Sequence, residues 1–293
     1  MRFAFLCNRR AGSGVFRDDI AGIAAELNGQ IYNCPANPEI EAVLALRDGF
    51  DVLVAVGGDG TVSACASAIW KAKSPAILAV IPAGTLNHFA KDLGIPDFAT
   101  AHRVLRTAHV RTVDIATVNG IPFVNNSGIG LYPVLVRKRE IHRRHGVPRW
   151  VAFAIALCRV MIRMPLRRLI LEADGQRLAH RTPFVFVGNN SYRVEGLSLG
   201  TRATLNGGVL GVCVSGIPGS LEVILLAVRA LFRRLKEQRD FFNIAALHLT
   251  VRSPHSTLQV SLDGELRRLH TPLDYRIHPG GLRVLSPPPL SPQ

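Results

Sequence analysis

Residues 57–61 read Gly-Gly-Asp-Gly-Thr and follow directly on an apolar run at residues 52–56. Where a buried strand hands over to a helix, glycines let the backbone approach a phosphate. The first helical turn there supplies free N–H groups and a partial positive charge. Gly57, Gly58 and Gly60 fit that use, and Thr61 can cap the helix or bond a phosphate oxygen. Asp59 has the wrong charge to touch phosphate directly, so it must fix the loop or act through Mg²⁺. The plainer reading is an ordinary turn capped by Asp59; two adjacent glycines before Asp-Gly-Thr favour the phosphate. A second loop, Pro82-Ala83-Gly84-Thr85-Leu86-Asn87-His88-Phe89-Ala90, again lies between an apolar run and a helical pattern. Two such loops at successive strand ends can face one crevice, with Gly84, Thr85 and Asn87 reaching phosphate or base. Asp263-Gly264-Glu265 puts two carboxylates on a tight turn. Phosphoryl transfer to an alcohol needs a positioned base, while most of the rate comes from in-line placement and charge neutralisation. Taken alone, the tripeptide reads as a solvated β-turn, because Asp-Gly is a leading turn dipeptide.

The elements that must hold these residues follow from patterning. The chain has 293 residues, 48% hydrophobic and 19% charged, which excludes a disordered chain and suffices for a packed core. Buried strands are predicted at 2–7, 51–56 and 76–81, a short strand at 30–33, and helices at 16–27, 38–47 and 61–73. This alternation predicts a doubly wound α/β domain with its ligands beyond the carboxyl ends of the strands. From about residue 111 the runs become β-like, at 113–118, 123–126, 168–173, 183–189, 209–215, 247–252 and 257–262. Asn-Gly and Asp-Gly turns separate them. They predict a mostly antiparallel, β-rich second domain with inserted helices at 134–164 and 221–242, then a Pro-rich tail that frays.

Thirty-five Lys and Arg against 21 Asp and Glu leave a net charge of +14, which favours an anionic partner. Cys7, Cys34, Cys65, Cys158 and Cys213 are scattered and odd in number, against a disulfide framework or a zinc site. No apolar stretch approaches the ~20 residues of a membrane helix, and the opening run is too short for a signal peptide. The expectation is a soluble, cytoplasmic protein.

Together the motifs resemble the catalytic domain shared by diacylglycerol kinases, sphingosine and ceramide kinases and bacterial lipid kinases. Gly57–Thr61 matches that family's nucleotide loop, and residues 82–90 its Pro-x-Gly-Thr-x-Asn-x-Phe-Ala segment. Asn8 with Gly12, Ser13 and Gly14 resembles its first-strand phosphate loop, and residues 262–265 its late Asp-Gly-Glu motif. NAD kinases and phosphofructokinases carry similar glycine loops, so the fold expected is phosphofructokinase/NAD kinase-like in its first domain. The resemblance implies Mg-ATP as cofactor and a lipid hydroxyl as acceptor, most simply that of diacylglycerol. It implies a nucleotide-binding domain at 1–118, a lipid-acceptor domain at 119–275, and a return of 276–293 to the first. Asp263 or Glu265 would then be the general base, the other orienting Mg²⁺, with Asp59 counted beside them as catalytic. Four residues depart from the family pattern: Ser63-Ala64 replaces Asn-Glu, His88 replaces Asp, and Gly207 stands where bacterial relatives place an Asp that holds an accessory Mg²⁺.

Two basic segments, Arg137 to Arg168 and Arg229 to Lys236, interleave cations with apolar residues. They suit docking on the inner face of an anionic membrane, or equally a core helix with a solvated face. No nucleic-acid partner is expected, since aromatic content is 6% and no nucleic-acid module signature is present; a homodimer stays open. The rival readings are a NAD kinase-like small-molecule kinase and a nucleotide- or lipid-binding protein without turnover. Gly196-Leu197-Ser198-Leu199-Gly200 imitates a hydrolase nucleophile elbow, yet no helical pattern follows it.

Overall fold

A computed structural model of the chain describes residues 1–8, 17–34, 37–130, 167–182, 184–195, 198–202, 204–215 and 241–288. The first part alternates strand and helix: β1 (Phe3–Cys7), α1 (Arg17–Glu26), β2 (Gln30–Asn33), α2 (Pro38–Arg47), β3 (Val52–Gly57), α3 (Asp59–Lys71) and β4 (Ile77–Pro82). Two helices follow, α4 (His88–Asp92) and α5 (Phe98–Thr107). The strands then run β5 (Val110–Val118), β6 (Ile121–Phe123), β7 (Asn126–Gly130), β8 (Arg167–Ala173), β9 (Gln176–Thr182) and β10 (Phe184–Asn189). Next come β11 (Tyr192–Glu195), β12 (Ser198–Arg202), β13 (Leu210–Ser215), β14 (Phe241–Ala246), β15 (His248–Arg252), β16 (Thr257–Leu262), β17 (Glu265–His270) and β18 (Leu273–Leu285).

β1, β3 and β4 pair in parallel, with Leu6 opposite Ala55 and Val54 opposite Ala79. Their side chains are buried on both faces, which explains why the sequence reads as continuous apolar runs rather than alternation. Local signals set the helix starts: Asn37 accepts the Glu39 N–H at 3.0 Å ahead of Pro38, and Asp97 accepts the Thr100 N–H at 2.8 Å. The antiparallel part includes a six-stranded sheet in the order β14-β13-β10-β7-β16-β17, so β17 is an edge. One apolar core lies around β1, β3 and β4, and a second lies between β5, β10, β15 and β16.

β18 belongs to both parts. Its start pairs antiparallel with β15 and β5, and Val284 near its end lies parallel beside Leu78 of β4. The join is an irregularity between His278 and Leu282. There the buried Asp114 carboxylate accepts the Gly280 N–H at 2.9 Å and the Gly208 N–H at 2.7 Å. A Cβ at Gly281 would lie 2.7 Å from Ile115, so only glycine lets the strand cross there.

Several elements differ from expectation. Residues 123–126 are not one strand: β6 ends at Phe123, β7 begins at Asn126, and Val124 and Asn125 turn between them. Phe241 and Phe242, expected to end a helix, open β14; the remainder of both inserted helices lies outside the described residues. The patterning gives no sign of β9, β11, β12, β17, β18 or α5. β17, Glu-Leu-Arg-Arg-Leu-His, is an edge strand whose charges mask its alternation. Ser198, Leu199 and Gly200 of the hydrolase-like pentapeptide open strand β12, and no helix starts there among the described residues. Among the described residues no helix is long and apolar enough to cross a membrane.

Candidate functional site

At the end of β3 the chain turns into α3 through Gly57 and Gly58, and no side chain caps the helix among the described residues. Its first N–H groups therefore remain available to an anion. A Cβ on Gly57 would sit 2.3 Å from Thr61 Oγ1, so glycine is needed for Thr61 to fold back under the turn. Thr61 is buried, and its hydroxyl accepts from Asn8 Nδ2 at 3.4 Å, which draws the end of β1 to the same rim.

The second loop packs on the first through bare backbone. A Cβ on Gly84 would lie 2.4 Å from the Gly58 Cα, and one on Gly58 would lie 3.2 Å from the Gly84 Cα. Asn87 takes a left-handed conformation at φ 52° and closes its own loop. Its Oδ1 accepts the Gly84 N–H at 3.0 Å, and its Nδ2 donates to the Gly84 carbonyl at 2.9 Å. Asp59 Oδ1 accepts the Phe89 N–H at 3.2 Å, bolting α3 to the start of α4. Of the two roles open to Asp59, fixing the loop is the one this bond displays. Thr85 and His88 are exposed on the rim. Asn8, Gly57–Thr61 and Gly84–Asn87 thus share one rim, while Gly12, Ser13 and Gly14 lie outside the described residues. Cys7, just beneath, carries a thiol pushed up to about 11 by burial and is no nucleophile at neutral pH.

The acidic turn reaches this rim from the other sheet. Asp263 and Gly264 have φ of 47° and 90°, the left-handed pair of a tight hairpin between β16 and β17. The two carboxylates then part company. Asp263 points inward, where its Oδ2 accepts from the Ser63 hydroxyl at 2.7 Å and the Val124 N–H at 2.9 Å. Its Oδ1 accepts the Asn125 and Asn126 N–H groups at 2.8 and 3.0 Å. Burial pushes its carboxyl above the usual carboxylate range, against the pull of those donors. Glu265 is exposed, touches only Arg267 Nη2 at 3.4 Å among the described residues, and comes 4.0 Å from where a Cβ on Gly60 would stand. One carboxylate is saturated and structural; the other is open and faces the first turn of α3.

Ser63, the departure that removes a family asparagine, is therefore a ligand of Asp263 across 200 residues of chain. At the other departure, a side chain on Gly207 would place its Cβ 2.8 Å from Asn190 Oδ1 and 3.0 Å from Thr204 Cγ2. Such a Cβ would crowd the buried Asn190, and glycine itself offers no ligand, so the residues present do not fit the accessory Mg²⁺. Asp92, Arg202, Asn125 and Tyr192, which pack behind the rim, carried no sequence signal, because their partners come from distant segments.

A family model described as the diacylglycerol kinase catalytic domain matches residues 2–118. Over 81 residues the chain is 43% identical to a probable lipid kinase YegS-like protein of Pseudomonas aeruginosa, covering 28% of this chain and 27% of that protein. Over 138 residues it is 30% identical to a diacylglycerol kinase of Bacillus subtilis, covering 44% of this chain and 46% of that one. The matched stretches thus span less than half the length of either relative. The crystal structure of a diacylglycerol kinase from Bacillus anthracis shares the fold with a TM-score of 0.71, at 22% identity, over 98% of this chain and 97% of that one.

Proposed function

We propose, on the premise that residues 2–118 belong to the diacylglycerol kinase catalytic-domain family, that the chain is an ATP-dependent lipid kinase. Its reaction is transfer of the γ-phosphoryl group to a lipid hydroxyl, with diacylglycerol as acceptor and phosphatidate as product. The observation that carries this reading is the meeting of two glycine turns, Gly58 on Gly84, with an open carboxylate, Glu265, beside the uncapped start of α3. Glycine turns packed backbone on backbone leave the start of α3 free of side-chain bulk, which suits a polyphosphate whose charge that helix start favours.

Bound Mg-ATP supplies the transferable phosphoryl group and the cation that neutralises its oxygens. Glu265 accepts the proton of the acceptor hydroxyl as its oxygen bonds to phosphorus and the bond to the leaving β-phosphate oxygen breaks. Asp263 holds the turn that presents Glu265, and Asp59 keeps the two glycine loops in register through Phe89. The formal charge of +14 supports work on a lipid at an anionic membrane surface.

The test is to incubate the purified chain with labelled ATP and Mg²⁺, in parallel with diacylglycerol-containing vesicles and with NAD. Label is expected in phosphatidate and not in NADP. Glu265→Gln is expected to lower turnover by roughly a hundred- to ten-thousand-fold with ATP affinity unchanged. Tight ATP binding without label in any lipid would overturn the reading.

A further inference from the structure

Behind the rim, Arg202 at the end of β12 has a fully buried side chain, and Asp92 at the end of α4 is 7% exposed. Arg202 Nε donates to Asp92 Oδ2 at 2.7 Å. Its Nη1 donates to the Val124 carbonyl at 2.6 Å and the Asn189 carbonyl at 3.3 Å, and its Nη2 to Asn125 Oδ1 at 3.0 Å. The guanidinium carbon also lies 5.7 Å from the centre of the Phe89 ring and 5.5 Å from that of Tyr192. Tyr192 in turn donates its hydroxyl proton to the Asn125 carbonyl at 3.1 Å.

The turn at 124–126 is therefore held from both sides. Its carbonyl side faces the buried Arg202 cation, and its N–H side faces the half-buried Asp263 carboxyl group. Groups so placed polarise one shared peptide, Val124 C=O to Asn125 N–H, in the same sense, so each strengthens the other's hydrogen bond there. The connections also close a ring. From Asp59 on α3 it runs to Phe89 and Asp92 on α4, then to Arg202, the 124–126 turn, Asp263, and Ser63 back on α3. Glu265 stands two residues beyond Asp263 on this ring. An apolar filling of such a site is generally no less stable than a buried ion pair, so stability alone does not account for Arg202.

We infer that Arg202 is a positioning residue that, through the 124–126 turn and Asp263, fixes Glu265 over the nucleotide loops. The inference rests on the lipid kinase reading above. Arg202→Lys keeps a cation for Asp92 but lacks the planar fork that spans the other acceptors. It is expected to leave the KM for ATP unchanged, to lower kcat on diacylglycerol vesicles about tenfold, and to reduce hydrogen-exchange protection at Val124–Asn126. If Arg202→Lys does not fold, Asn125→Ala removes one acceptor only and is expected to lower kcat about threefold with the same KM. With an active wild-type protein, kcat within twofold of wild type in the folded variant, or undiminished exchange protection, overturns the positioning role alone. A wild-type protein that phosphorylates no lipid overturns the kinase reading, and the positioning role with it.

Discussion

At the glycine rim the backbone does the positioning, whereas at the acidic corner charged side chains do. Gly58 and Gly84 meet because neither has a Cβ, and every bond that closes their loops spans few residues or joins neighbouring strand ends. Asp263 is held instead by donors 137–200 residues away in the chain. The first arrangement is close, local and intolerant of added atoms. The second tolerates volume but not the loss of a charge or a donor, because a buried unpaired polar group is costly. A site assembled from both kinds should fail in two distinguishable ways.

The largest effect on stability is expected at the corner. Asp263→Ala strands three backbone N–H groups and the Ser63 hydroxyl, and should lower unfolding free energy by about 3–5 kcal/mol. Urea titration measures this, and a loss below about 1 kcal/mol would break the comparison. Next comes Gly84→Ala, whose Cβ meets the Gly58 Cα at 2.4 Å. Overpacking of this kind costs roughly 1–3 kcal/mol, and here it should raise the KM for ATP at least tenfold while the KM for lipid stays put. Gly60→Ala sharpens the contrast, since that site is exposed and meets only Glu265 Oε1 at 4.0 Å. Calorimetry should show a gain of about 0.5–1 kcal/mol from helix propensity, although Gly60 lies only two residues from Gly58.

The smallest effect lies away from both regions, at the join in β18. Burial, with Arg276 nearby, holds the His278 imidazole below its usual range, and its ring packs 4.5 Å from that of Trp70. A histidine whose folded pKa is depressed binds its proton more weakly folded than unfolded. Its contribution is therefore complete above the unfolded pKa, about 6.5, and is lost as pH falls below it towards the folded value. His278→Gln should flatten that part of the stability–pH curve, as followed by melting temperature between pH 7 and pH 5.

The parallel strands, their helices and both glycine turns were legible because each is decided by neighbours. A strand buried on both faces must be apolar throughout, and a turn that touches another backbone must be glycine. The antiparallel half was legible only where turns are marked. β17 and β9 carry too many charges to stand out, and β18 runs through Pro279, Gly280 and Gly281, residue types that interrupt a strand pattern. The run at 123–126 read as one strand because Val124 and Asn125 look extended by type; their turn exists because Asp263 collects its N–H groups.

A glycine rim at the ends of β3 and β4 was foreseeable from the chain alone, since glycine spacing and strand–helix alternation are properties of contiguous residues. Which of two carboxylates, two residues apart, is spent on holding the fold and which is left open was set by packing alone. That choice depends on what surrounds each after folding: four donors from α3 and the 124–126 turn around Asp263, and the exposed Gly60 of α3 before Glu265. Burial and pairing across such distances are set by packing, and no residue's own type encodes them.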